Sequence, residues 1–323
     1  MFNHIFQTSV LLVKGAPFGN DNAAKDHKGG AGAGGISDAT AIPGLTAHAS
    51  TVHKELKDLE DRGFSILGEG TREELATTLS KHYPKVSPNE IIDAMMGKNA
   101  KIGDYSTIVV TKEGGISITA GEGSTVHGAK IELMRRDIGD PEHGDNTTVS
   151  HGYLKLHDSE KGGGAVKKQF ADSIPLYQKM GIKNIVVGAN LKGGVYAWGR
   201  YGFDSVSPKS YTKTVKTMMS TFRAGLKKPL PEGAEDELTA IDNMLSLKGG
   251  AKNIPSLLTS MNLPHLDAHT IDSGVGTQGA KSKFLASALN TKGSWNGNLD
   301  LSNKRQIKHL SKYIGHELTP STP

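Results

Sequence analysis

Residues 147–203 read TTVSHGYLKLHDSEKGGGAVKKQFADSIPLYQKMGIKNIVVGANLKGGVYAWGRYGF. Their order decides the fold class: a strand, a triple-glycine turn, a helix, a second strand and a short aromatic helix. From His151 to His157 the residues alternate. The alternation puts His151, Tyr153, Lys155 and His157 on one strand face and Gly152, Leu154 and Leu156 on the other. Asp158-Ser159-Glu160-Lys161 then leads into Gly162-Gly163-Gly164. Helical periodicity starts at Ala165, with Val166, Phe170, Ile174, Tyr177 and Met180 on one stripe. Pro175 lies inside that stripe and is expected to kink or restart the helix. Gly181 is a C-terminal stop, and residues 182–187 are β-branched enough for a buried strand. Bare backbone N–H groups at the start of a helix suit a phosphate or pyrophosphate.

These residues resemble the GNAT N-acetyltransferase family. Its Gln/Arg-x-x-Gly-x-Gly/Ala turn lies between a strand and the helix that receives the acyl-CoA pyrophosphate. The matching turn here is Glu160-Lys161-Gly162-Gly163-Gly164-Ala165, with Glu in place of the first Gln or Arg. The family's asparagine after the next strand corresponds to Asn190. The Gly-Phe that ends its short helix corresponds to Gly202-Phe203, and Trp198 stands where a tyrosine is common. The ending Trp-Gly-Arg-Tyr-Gly-Phe is more similar to divergent acetyltransferase-like domains of tailed-phage virion proteins and bacterial effectors. The resemblance implies acetyl-CoA as cofactor, held by Lys155, Leu156 and His157 along the strand edge, by Gly162, Gly163, Gly164 and Ala165 at the pyrophosphate, and by Asn190. Acetyl transfer to an amine also needs a base and a proton donor for the thiolate. Glu132 and His151 are candidate bases. Tyr201 and then Tyr196 are candidate acids, because the indole of Trp198 is no proton-transfer acid.

Upstream, residues 45–62 carry a helical stripe of Leu45, Val52, Leu56 and Leu59. Thr71 with Glu74 and Ser87 with Glu90 read as capping boxes, the second with Pro88 at the first helical position. Residues 64–67 read as a strand. A hairpin of residues 106–112 and 115–120 turns at Glu113-Gly114, with Gly115 at positive φ. A strand at 129–134 and a polar loop at 135–146 follow. The expected fold class is α/β: an acetyltransferase-like mixed, mainly antiparallel sheet of five or six strands with flanking helices, plus a helical C-terminal region. Helices are expected at 207–226, 232–247, 254–261 and 302–314, in an otherwise loop-rich tail.

Three segments are expected: 1–44, an apolar peptide and glycine-rich linker; 45–206, the α/β domain; and 207–323, a basic helical region. Residues 14–44 are too rich in glycine, alanine and small polar residues to offset the entropy of ordering. As a coil they span roughly 30 Å. Residues 1–13 are the expected docking peptide for a protein partner or assembly. Residues 205–323 hold 15 Lys plus Arg against 9 Asp plus Glu, within a chain of net charge +5. That asymmetry suits an acidic partner or nucleic acid.

The chain has 323 residues and no cysteine, which excludes disulfides and thiol catalysis. It contains no run of 18 apolar residues and shows no basic leader at its start, so neither a membrane span nor a secretory signal is expected. No metal site is expected. His151 and His157 lie about 20 Å apart along a strand, and the His265-x3-His269 pair has no third ligand near it. Walker and Gly-x-Ser-x-Gly patterns are missing, and the glycines at 274–279 follow no strand. Three functions remain open: acyl-CoA-dependent transfer to an amine, most simply on a protein; a non-catalytic phage virion part built on the same fold; and a secreted bacterial effector. The matching locations are cytoplasmic or virion-associated.

Overall fold

The structure is a computed structural model that describes residues 43–140, 145–189, 194–224, 229–230, 232–246, 252–268, 280–289 and 294–322. Helix α1 (Pro43–Asp61) leads into strand β1 (Ser65–Gly68), and helices α2 (Arg72–His82) and α3 (Pro88–Met96) follow. Both capping boxes form. The Thr71 side chain accepts from the Glu74 amide at 3.3 Å while the Thr71 amide donates to Glu74 at 2.7 Å. Ser87 and Glu90 do the same at 3.3 and 2.9 Å. These contacts satisfy amides that a helix start leaves without partners. Val52, Leu56 and Leu59, at helical spacing, are buried in the core.

Next come β2 (Thr107–Val110), β3 (Ile116–Ala120), the short β4 (Thr125–Val126), β5 (Ala129–Asp140) and β6 (Asp145–Leu156). A 3-10 turn (Asp158–Glu160) and the glycines lead to α4 (Ala165–Lys179), then β7 (Asn184–Ala189), α5 (Gly194–Arg200) and β8 (Asp204–Ser205). Beyond them lie α6 (Pro208–Ala224), α7 (Ala234–Leu245), α8 (Ile254–Leu258), α9 (Pro264–Ala268), α10 (Lys283–Leu289), β9 (Trp295–Asp300) and α11 (Lys304–Ile314). The protein is therefore mixed α/β, with a mostly antiparallel open sheet and flanking helices.

Among the described residues the sheet has nine strands rather than five or six. Its order is β1-β2-β3-β5-β6-β7-β9-β8, with β4 beside β5. Two pairs are parallel, β1 with β2 and β6 with β7. Each is joined by helices, because a parallel return needs a long crossover. The expected boundary at 206/207 falls inside the sheet: β9 pairs with β7 on one side and β8 on the other. Residues Ala41–Pro323 form one compact unit.

Several sequence expectations need correction. Residues 135–140 are strand, not loop: Met134, Arg136 and Ile138 alternate inward. The hairpin after β2 closes through Thr111 and Gly115, whose backbones bond at 2.9 Å. That leaves a three-residue loop, so positive φ falls on Gly114 (84°), not Gly115. Pro175 sits within an unbroken α4, and its exposed side chain costs the core nothing. Next to the edge strand β8, the 262–323 tail contributes an interior strand, β9. Its sequence, Trp-Asn-Gly-Asn-Leu-Asp, is rich in residues that strands usually avoid. Asn190, His269, the glycines at 274–279 and residues 1–42 lie outside the described residues.

Candidate functional site

Strand β6 carries the site, and its shape follows from one register shift. On β5, Arg135 pairs with Tyr153 and Asp137 with Ser150. Two steps on β5 thus face three on β6, which places a β-bulge at His151-Gly152. The bulge changes the phase of the strand. Val149 and His151 face the core before it, and Leu154 and Leu156 pack against the core after it. The expected shared face of His151, Tyr153, Lys155 and His157 is therefore broken at Gly152: Lys155 is exposed and His151 is 2% exposed. Bulges bend a strand and end pairing, and pairing with β7 ends at this point. Thr148 to His151 match Asn184 to Val187 residue for residue, and no pair follows. Beyond His151, β6 runs on beside β5 while β7 runs on beside β9.

The two strands thus part as a fork, with an exposed glycine on each prong, Gly152 and Gly188. A Cβ added at Gly152 would find its nearest neighbour, Asp137 Oδ2, at 3.7 Å, and one at Gly188 would find Asn296 Oδ1 at 4.0 Å. The prongs are bare and leave space. The free edge of β6, including Lys155 and Leu156, leads through His157 into the glycine turn. Gly162 and Gly164 have φ of 87° and 82°, a backbone other residues adopt only with strain. Gly164 is the cap residue of α4 and offers no side chain to its amides. A Cβ on Gly164 would touch nothing within 4 Å, and one on Gly163 only the Glu160 carbonyl at 3.4 Å. The 15-residue α4 therefore begins with an open cradle of amides at the positive end of its dipole.

Charge at the cradle is mixed. Lys161 is paired with Asp158, leaving Glu160 as the carboxylate in the turn. Lys167, in the first turn of α4, lies 4.6 Å from the Tyr313 ring centre, and Arg200 lies 4.5 Å from the same ring.

Beneath the fork is a buried polar network that sequence reading missed. Arg136 is 1% exposed. Its Nη1 donates to the carbonyls of Arg135 and Tyr153 at 2.8 and 2.7 Å, and Nη2 donates to Gln169 Oε1 at 3.0 Å. Gln169 Nε2 in turn donates to the Met95 carbonyl at 2.8 Å. Among the described residues Arg136 has no carboxylate at ion-pair distance. Burial lowers its pKa to about 10, so it stays charged at neutral pH. His151 stacks on Phe170 at 5.5 Å, and its Nε2 lies 3.0 Å from the Tyr177 hydroxyl. Its Nδ1 has no partner among the described residues. Burial first, and then the Arg136 charge, push the His151 pKa well below its ordinary value, so the ring is neutral. Burial raises Tyr177 to about 12. The alternation of Met134, Arg136 and Ile138 was the available signal for an inward arginine.

The proposed catalytic side chains do not converge on the fork. Tyr201 is 7% exposed and packs on Phe170 at 4.9 Å and Tyr313 at 4.8 Å. Tyr196 is 1% exposed, and its hydroxyl donates to the Thr259 carbonyl at 3.4 Å. Burial raises the pKa of both phenols. Glu132, at a second register shift on β5, is ion-paired with Lys155 across the strands. Trp198 joins the same aromatic core, 5.2 Å from Phe203 and 6.3 Å from His151. Among the described residues no group of three potential ligands is placed to hold a metal ion, and no helix is long and apolar enough to cross a membrane.

Comparison with family models, with curated proteins and with solved structures finds no match to this chain.

Proposed function

We propose that the fork and the glycine turn form an acyl-CoA site, and that the protein is an acetyltransferase-like enzyme acting on an amine, most simply on a protein. One observation supports this reading above the others. A bulge at His151-Gly152 ends pairing with β7 and leaves the outer half of β6 with a free edge, which runs directly into an uncapped helix start. An extended pantetheine with its amide groups matches a free strand edge. A pyrophosphate matches the amides of Gly164 and Ala165 at the start of α4, while the Gly163 amide donates to the Glu160 carbonyl at 3.4 Å. The thioester would then lie at the fork, between Gly152 and Gly188, where bare backbone permits close approach. His151 lies below the fork, neutral but buried, and the burial that lowers its pKa also weakens it as a base.

The burial of Tyr196 and Tyr201 and the pairing of Glu132 with Lys155 favour a second reading: a domain that binds the cofactor without turning it over. Calorimetric titration of the full chain with acetyl-CoA tests the site, and release of free thiol with a panel of amines and peptides tests turnover. Binding with release supports the enzyme. Binding without release supports the non-catalytic form. No binding at about millimolar acetyl-CoA, the weak end of specific affinities, removes both.

A further inference from the structure

Helix α11 presents a face of a single charge sign that the acyl-CoA reading leaves unused. Its sequence, KRQIKHLSKYI, contains no acid. Gln306, Ile307 and Leu310 face the core. Lys304, Lys308 and Lys312, four residues apart, form an exposed row on the other side, with Arg305 beside them. Lys281, also exposed, joins the group from outside the helix: its charge and those of Arg305 and Lys312 all bear on His309. The carboxylate matched to this group is Asp204, which holds Arg305 in a two-pronged pair. Glu317, exposed, follows the helix end. A merely solvated surface generally mixes both signs, whereas gathering like charges without partners destabilises the fold.

We propose that the exposed face of α11 binds the phosphate backbone of nucleic acid without reading sequence. Four helical residues advance about 6 Å, so the three lysines span about 12 Å. At about 3.4 Å per nucleotide along one strand of a duplex, that span covers three to four phosphates. The face also lacks what other anionic partners need. Among the described residues the exposed large apolar side chains are Leu67, Tyr105, Leu133 and Val206, and none lies on α11. A membrane-surface helix requires an apolar face to insert, and a protein interface is generally anchored by buried aromatic or apolar residues.

The test is fluorescence polarisation of the full chain with a labelled random-sequence DNA duplex over a salt series. Wild type should bind at low salt, with log affinity falling linearly with log salt. Lys304→Gln, Lys308→Gln and Lys312→Gln together should reduce the magnitude of that slope by about 2–3, since each phosphate contact contributes about 0.9. The same exchange at Lys209, Lys213 and Lys216 on α6 should leave the slope close to wild type. Circular dichroism checks that both variants fold. The proposal is overturned by a wild type that does not bind at low salt, by a wild-type slope in the α11 variant, or by an equal loss in the α6 variant. Polyglutamate competing as well as DNA, charge for charge, would overturn it in favour of an acidic protein partner.

Discussion

The two halves of β6 make an instructive contrast. From Thr148 to His151 the strand lies between β5 and β7. From Gly152 to Leu156 it pairs with β5 and leaves its other edge free. Composition does not distinguish the halves: both contain alternating apolar and polar residues. What separates them is one extra residue at the bulge, together with the Arg136 guanidinium, which takes the Tyr153 carbonyl at the start of the free half. Interior strands are held on both sides, whereas a free edge invites an extended partner. In the proposed function that partner is the acyl-CoA arm, and the paired half is the rigid base that holds it.

The largest effect expected is on the base. Gln169→Leu removes the side-chain acceptor of Arg136 and leaves the Met95 carbonyl without its donor, at a buried site. The loss should be about 2–4 kcal/mol of unfolding free energy, the scale for stranding buried polar and charged groups. Urea denaturation measures it. If Arg136 and Gln169 act as one unit, the double variant Arg136→Met, Gln169→Leu should lose less than the two single losses added together. Simple additivity would show that the network does not support the bulge.

A smaller effect, on the free half alone, should follow from Gly152→Val. The position has room, so stability should change by less than about 0.5 kcal/mol. A branched side chain on the prong should nevertheless weaken acetyl-CoA binding tenfold or more, about 1.4 kcal/mol. Unchanged affinity in a variant of wild-type stability would separate the fork from the cofactor and break the contrast between the halves.

The smallest effect concerns the residue between them. Burial holds the folded-state pKa of His151 below its unfolded value near 6.5. The unfolded chain therefore binds a proton there that the folded chain does not, so the contribution is fully present above about pH 6.5 and is lost as pH falls through it. From pH 6.5 to 5.5 the loss should be about 1 kcal/mol. His82, His127 and His309 are also shifted down by burial and act in the same direction. His151→Phe should flatten the pH slope of stability in this window. A slope equal to wild type would mean that His151 titrates freely at the fork.

The sequence alone was sufficient for most local features, though Pro175 neither breaks nor restarts α4. Capping boxes at Thr71 and Ser87 set helix starts because their partners lie three residues away. The triple glycine marks the open start of α4 because positive φ at Gly162 and Gly164 is a property of the backbone itself. The hairpin was legible to within one residue of its turn. Only the tertiary structure decided that β9 enters the sheet between β7 and β8. Its Asn and Gly residues carry little strand preference, and it is strand because two neighbours offer it hydrogen bonds. The same holds at the site. A bulge is a mismatch in count between two strands, so it is written in neither strand by itself. The inward turn of Arg136 depends on Gln169, 33 residues away. The tyrosines chosen from sequence as acids turned out buried because Phe170 and Tyr313 close over Tyr201, and the Thr259 carbonyl takes the Tyr196 hydroxyl. Local chemistry is readable along a chain; accessibility and strand pairing depend on what the rest of the chain brings alongside.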